Sequence, residues 1–427
     1  MKRPWIRRIA AAVLCGALAA VVATPGAGQV ALPGVGIDVP SVGLPAGPVA
    51  LPGVSVRLDA RRVRLRGLLR EHPERLDLDP RGELIVRGEI LAYGLRAEAL
   101  RLAQAAGFTV LRRPVLDGLD AEIVVLEVPA GMTARRALQR LRKLDPEGTY
   151  DYNHVYVGSG ADAAPSSPAS RPAASAQDAG AAIRVGLIDS GVATRHPALS
   201  GVAVSTFGCE GASLPTVHGT AVASLLLAAQ ESTPSVAREA RLYAADVYCD
   251  APTGGAVDGV VAALAWMVRE RVPVINVSLV GPANALLGRV ISSCIARGHV
   301  IVAAVGNDGP AAPPLYPAAY PEVVAVTAVD RRFKVLPEAG RGAFIDFAAP
   351  GADVSAATPP DGRAPVRGTS FAAPVVAGLL AREIVGLDRS SADAAVRALA
   401  ARAVDLGARG PDPVYGHGLV GAPTAGG

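Results

Sequence analysis

An acid, a base and a nucleophile stand in three short polar motifs, each beside an apolar run: Asp189-Ser190-Gly191, His218-Gly219-Thr220 and Gly368-Thr369-Ser370. These groups suffice for covalent acyl transfer through a serine oxygen. The imidazole takes the hydroxyl proton, the carboxylate fixes the imidazole's tautomer and steadies its charge, and the freed oxygen attacks a carbonyl. A further motif, Ala303-Ala304-Val305-Gly306-Asn307, offers a side-chain amide after an apolar run, where it can hydrogen-bond to a developing oxyanion.

The surrounding sequence says how these groups are held. Ser370 precedes Pro374 and the apolar stretch 375–384, so it is expected at a helix N-terminus, whose unpaired amides favour negative charge. That reading requires Pro374 to lie in the first turn, where its missing N–H costs nothing. His218 likewise opens a helical stretch, 219–229. Asn307 stands before Asp308-Gly309, a turn signal. Short apolar runs at 183–188, 241–247, 274–278, 299–305 and 323–329 alternate with helical patterns at 256–270 and 284–297. Strands buried on both faces with crossover helices imply a parallel sheet in an α/β sandwich, whose ligands meet the carboxyl ends of strands. Asp189 and Asn307 both fall at such ends.

The order acid, base, serine excludes the α/β-hydrolase arrangement, which needs a Gly-x-Ser-x-Gly elbow and places the serine first. With Ile275-Asn276-Val277-Ser278-Leu279 and the run from Gly368 to Pro374, the motif set resembles the subtilisin-like serine peptidase family over residues 183–424. The resemblance implies Asp189 as orienting acid, His218 as general base and Ser370 as nucleophile. Asn307 would supply the oxyanion-hole amide alongside the Ser370 backbone N–H. Ser278, Leu279, Val280 and Gly281 would form an edge pairing with substrate backbone, and Ala304 and Gly306 would also bind substrate. It implies a three-layer α/β sandwich with a seven-stranded parallel sheet, and an N-terminal inhibitory propeptide. Val280 departs from the pattern, standing where many relatives have glycine. No cofactor is needed for the chemistry and no metal ligands are assigned; a structural calcium stays open, with no acidic cluster dense enough to argue for one.

Residues 1–28 read as a signal segment: Lys2, Arg3, Arg7 and Arg8, an apolar core at 9–22 and a small-residue exit at 23–28. Those four basic residues account for the whole formal charge of +4, which leaves a neutral remainder with no reason to bind nucleic acid or attach to a membrane. Secretion, or export to a periplasm, is expected. The cluster Arg57, Arg61, Arg62, Arg64 and Arg66 reads as the solvated face of a short element. Residues 29–56 form a Gly/Pro-rich linker, and the Ala/Ser/Pro-rich stretch 158–182 a second linker with the expected processing site.

Between the linkers, residues 57–157 alternate strand and helix patterns: 83–90, 96–106, 121–128, 133–144 opened by a Thr133 cap, and 150–157. A two-layer, ferredoxin-like α/β unit is expected, with His72 and His154 structural or solvated. Its final strand would lie across the cleft as a product-like inhibitor. Of the cysteines outside the signal segment, Cys209 and Cys249 either pair, leaving Cys294 as a buried thiol, or all are buried thiols. Two functions follow: an exported endopeptidase made as a self-processing zymogen and acting on protein or peptide substrates, or an occluded or activator-dependent binding or inhibitory module with little general proteolysis.

Overall fold

Valine- and alanine-rich runs such as Val274–Val277 and Val324–Val329 are buried along their whole length, the signature of strands covered on both faces. The structure, a computed structural model, describes residues 55–119, 121–158, 183–212, 214–228, 240–249, 251 and 253–422. The signal segment, most of the first linker and residues 159–182 of the second lie outside the described residues.

The N-terminal part runs α1 (Ser55–Glu71), β1 (Leu76–Leu78), β2 (Leu84–Tyr93), α2 (Ala97–Ala105), β3 (Thr109–Arg112), β4 (Val115–Leu116), β5 (Ala121–Glu127), α3 (Ala134–Leu144) and β6 (Thr149–Gly158). Strands β6, β2, β5 and β3 lie side by side and antiparallel. Apolar residues of α2 and α3, among them Ala103, Leu138 and Leu141, close a core over Ile85, Ile90, Val124 and Leu126. Thr133 caps α3 by accepting the Arg136 N–H at 3.4 Å.

The larger part holds β7 (Ile183–Asp189), β8 (Ala203–Phe207), α4 (Val217–Leu227), β9 (Ala240–Asp246), β10 (Gly255–Ala256), α5 (Val257–Arg269), β11 (Val274–Val277), β12 (Leu279–Val280), α6 (Ala285–Ala296), β13 (Val300–Ala304), β14 (Val324–Val329), β15 (Phe347–Pro350), β16 (Ala352–Thr358), β17 (Gly362–Arg367), α7 (Thr369–Glu383) and α8 (Arg389–Arg402). Its seven-stranded sheet has the order β15-β14-β13-β11-β7-β9-β8, with every pair parallel. One core lies between the sheet and α4 and α7, the other between the sheet and α5 and α6. This is the expected α/β sandwich with a seven-stranded parallel sheet.

Strand β6 joins the two parts. Its early residues pair with β2, while Val155 and Tyr156 pair with β10, and Val157 and Gly158 with β12. Asp151 accepts the Ala285 N–H at the start of α6 at 2.7 Å, and Arg112 bridges Glu89 to Asp258 at the start of α5. Acidic groups at helix N-termini complement the unpaired amides there.

The structure corrects several expectations. Helix α1 begins at Ser55, inside the stretch read as linker, and Gly158 closes β6 instead of opening the second linker. The arginine cluster is not simply a solvated face. Arg62 and Arg66 are exposed, but the Arg61 side chain is only 14% exposed and pairs with Glu83 at 2.7 Å and Asp308 at 3.0 Å. Pro374 lies inside α7, beyond the first turn. Its ring removes the donor that would reach the Ser370 carbonyl, and the Ser278 hydroxyl supplies that bond instead, at 3.1 Å.

Candidate active site

Asp189 ends β7, fully buried, and His218 sits in the first turn of α4. The His218 Nδ1 lies 2.8 Å from Asp189 Oδ1, which also accepts the Ser190 backbone N–H at 2.7 Å and the Ser190 hydroxyl at 2.9 Å. Thr216 caps α4 by accepting the Gly219 N–H at 3.0 Å, and its hydroxyl meets that of Ser190 at 2.7 Å. The turn carrying Asp189 and the helix carrying His218 are therefore stitched together. Gly219 is obligatory: a Cβ there would stand 2.2 Å from the Ser190 carbonyl oxygen.

Ser370 lies in the first turn of α7, wholly buried, its hydroxyl without a hydrogen-bond partner among the described residues. The next side chain, Phe371, packs its ring 5.3 Å from the His218 ring. The start of α7 is tied to the loop after β13: Thr369 donates its N–H to Asn307 Oδ1 and accepts the Gly306 N–H at its hydroxyl, each at 3.1 Å. This contact engages the Asn307 oxygen and not the amide's N–H donors. Ala304 is buried within the core beneath α7, and a Cβ on Gly306 would meet Leu315 at 2.5 Å.

The cleft edge read from sequence is used by the chain itself. Leu279 and Val280 pair with Gly158 and Val157, Gly281 exchanges backbone bonds with Tyr316, and Ser278 anchors the Ser370 carbonyl. A Cβ built on Gly158 would lie 3.7 Å from the His218 ring, so the strand end lies next to the imidazole. Tyr156 is buried beneath Gly281 and donates its hydroxyl to the Pro282 carbonyl at 2.5 Å.

Sequence reasoning missed the second edge, β10, whose only signal is the glycine pair Gly254-Gly255. It also missed Asp246, which the parallel register sets opposite Asp189. Of the two cysteine arrangements, the structure has the Cys209–Cys249 disulfide, with Cα atoms 5.0 Å apart and Cys294 a buried thiol. Burial pushes the Cys294 thiol up to about 12. His154 is structural, wholly buried between Asp79 and Asn284. Among the described residues no helix is long and apolar enough to cross a membrane.

An Asp-His pair at the carboxyl end of a parallel strand, with a buried serine next in sequence to the phenylalanine that packs on the imidazole, fits a serine hydrolase that works by acyl transfer. Residues 180–418 match the family model described as the subtilase family. The chain belongs to that family and is a subtilisin-like serine endopeptidase. It is 33% identical over 255 residues to subtilisin DY of Bacillus licheniformis, covering 58% of this chain and 91% of that protein. Subtilisin Savinase of Lederbergia lenta is 34% identical over 252 residues, with the same coverages. Fervidolysin from Fervidobacterium pennivorans, a keratinolytic enzyme related to subtilisin, shares the fold at a TM-score of 0.63 and 22% identity, covering 81% of this chain and 61% of that one.

Proposed function

We propose that Ser370 is the nucleophile, His218 the general base, Asp189 the acid that orients it, and Asn307 with the Ser370 N–H the oxyanion site. We further propose that residues 57–157 are an inhibitory prodomain, cut from the catalytic unit within residues 158–182. The observation carrying this reading is the strand end at Gly158 lying next to an imidazole that is itself hydrogen-bonded to Asp189. A peptide occupying that place presents its carbonyl to the serine.

His218 takes the Ser370 hydroxyl proton as the oxygen adds to the scissile carbonyl, and the oxyanion meets the Asn307 amide and the positive end of α7. Collapse breaks the C–N bond, with His218 returning its proton to the leaving nitrogen. Water, deprotonated by His218, then adds to the ester and releases the acid and the serine. Each proton transfer in these steps passes through His218. Ser278, Leu279, Val280 and Gly281 act as one substrate edge, Gly255 and Ala256 as the other, and Gly306 leaves room near Leu315 where a side chain would intrude.

The strand order β6-β2-β5-β3, with α2 and α3 over its core, supports a ferredoxin-like two-layer prodomain. The disulfide fits an oxidising compartment, so the endopeptidase is exported, to the periplasm or beyond. The occupied cleft also favours a second reading, a module that stays occluded until activated.

Intact mass followed over time, for wild type and Ser370→Ala with casein present, separates the two. Loss of roughly the first 160–180 residues together with casein cleavage, both absent in the alanine form, supports the self-processing peptidase. An uncut chain that leaves casein intact overturns it.

A further inference from the structure

Helix α1 lies where no cleft strand requires a helix. Leu65, on its buried face, packs in one cluster with Val155 and Val157 of the cleft strand, Val280 and Leu315 of the catalytic part, and Leu76 and Leu84 of the N-terminal part. Arg64 donates to the Gly158 carbonyl at 3.4 Å. Arg61 makes a two-pronged contact with Glu83, at 2.8 and 2.7 Å, and lies 3.0 Å from Asp308, the neighbour of Asn307. One guanidinium therefore sits between two carboxylates, one from each part of the molecule.

We propose that α1 is a clamp that holds the cleft strand down after the chain has been cut, with Arg61 as its electrostatic pin and Leu65 as its apolar one. This inference rests on the endopeptidase and prodomain reading above. The logic is one of opposed charges. With Arg61 in place each acid has a cation, and the two parts are drawn together. Without it Glu83 and Asp308 face one another across a half-buried junction, and like charges there push the parts apart. Arg64 adds a cation at the end of the strand, beside the segment in which the cut falls. The clamp acts on release of the cut fragment, so Arg61 and Leu65 are positioning residues and touch none of the reacting atoms.

The full chain is followed by native and intact mass during self-processing, with casein cleavage recorded in parallel. Arg61→Ala and Leu65→Ala should still make the first cut. Their cut fragment should then leave about tenfold faster or more than that of wild type, and the delay between the cut and casein cleavage should shrink accordingly. The final casein rate, once all fragment has left, should match wild type. Arg61→Lys should restore much of the delay. In the Arg61→Ala background, Glu83→Gln should slow release again, because it removes one of the opposed charges; a purely structural role for Arg61 predicts no such recovery. An unchanged delay in Arg61→Ala, or no recovery with Glu83→Gln, overturns the clamp. A wild-type chain that is neither cut nor active on casein instead overturns the endopeptidase and prodomain reading.

Discussion

Pro374 and Ser278 share a task, although they lie far apart in the sequence. In an uninterrupted helix the Ser370 carbonyl would accept from the N–H of residue 374, which proline lacks. Ser278 donates to it instead and in turn accepts from the Asn276 amide at 2.9 Å. The proline thus opens a position in α7 that Ser278 fills, coupling the proposed substrate edge to the turn holding the proposed nucleophile. Ser278→Ala should leave that buried carbonyl without a donor, at a cost of about 1–3 kcal/mol. In a Pro374→Ala background the helix can supply the missing N–H, so the same change should cost much less. A double-mutant cycle by urea unfolding, in the Ser370→Ala form to prevent self-digestion, measures the coupling. Additive effects would show that the two residues act independently.

At the scale of elements, strand register puts an unexpected carboxylate beside Asp189, the proposed orienting acid. Asp246 ends β9 directly opposite Asp189 on β7, and its Oδ1 accepts the Tyr248 and Cys249 N–H groups at 3.0 and 2.9 Å. Its Oδ2 is buried and has no donor among the described residues. Burial pushes its pKa up to about 6, with the Asp189 charge adding to the rise. A carboxyl whose folded pKa exceeds its unfolded value of about 3.9 is easier to ionise in the unfolded chain, so it costs stability once ionised. That cost is absent below about pH 4, grows as pH rises towards the folded pKa, and is constant above it. Asp246→Asn keeps the accepting oxygen and removes the charge. In the Ser370→Ala form it should raise the melting temperature at about pH 8 and leave it unchanged near pH 4; equal shifts at both would mean that the charge is not the cause. Such pairings explain what the sequence conceals. The core strands at 183–188, 274–278 and 299–305 were legible because they are buried for most of their length and the runs are predominantly apolar. β10 and β12 carry no periodic pattern: each is only two residues long and pairs with β6. The burial of Arg61 was illegible for a related reason, since its partners Glu83 and Asp308 are brought to it by the tertiary fold. The triad candidates were legible because each stands in a motif where a strand or helix begins or ends.

Over the whole molecule, the N-terminal part is held by contacts of different character, and their strengths need not be equal. Polar groups bind it at the starts of α5 and α6, where Arg112 is 42% exposed and its ion pairs are partly screened. Tyr156 is different. It is fully buried, a Cβ on Gly281 would stand 2.8 Å from its ring, and its hydroxyl donates to the Pro282 carbonyl. An aromatic side chain enclosed on all sides with its polar end satisfied is the kind of anchor that dominates an interface, while exposed pairs around it contribute little. Tyr156→Phe keeps the ring and strands the Pro282 carbonyl, which costs about 1–3 kcal/mol and so loosens the cut fragment about 5- to 150-fold. Tyr156→Ala removes the ring as well and should loosen it further; by freeing β6 from its register against β10 and β12, it should also slow the first cut. The Phe form should make that cut at the wild-type rate, because the backbone pairing that presents Gly158 to His218 is untouched. Fragment release by native mass spectrometry and cutting by intact mass report the two effects separately. Release from the Phe form at the wild-type rate would mean that water replaces the lost hydroxyl, and the slot beneath Gly281 would then select for an aromatic ring without distinguishing a phenol.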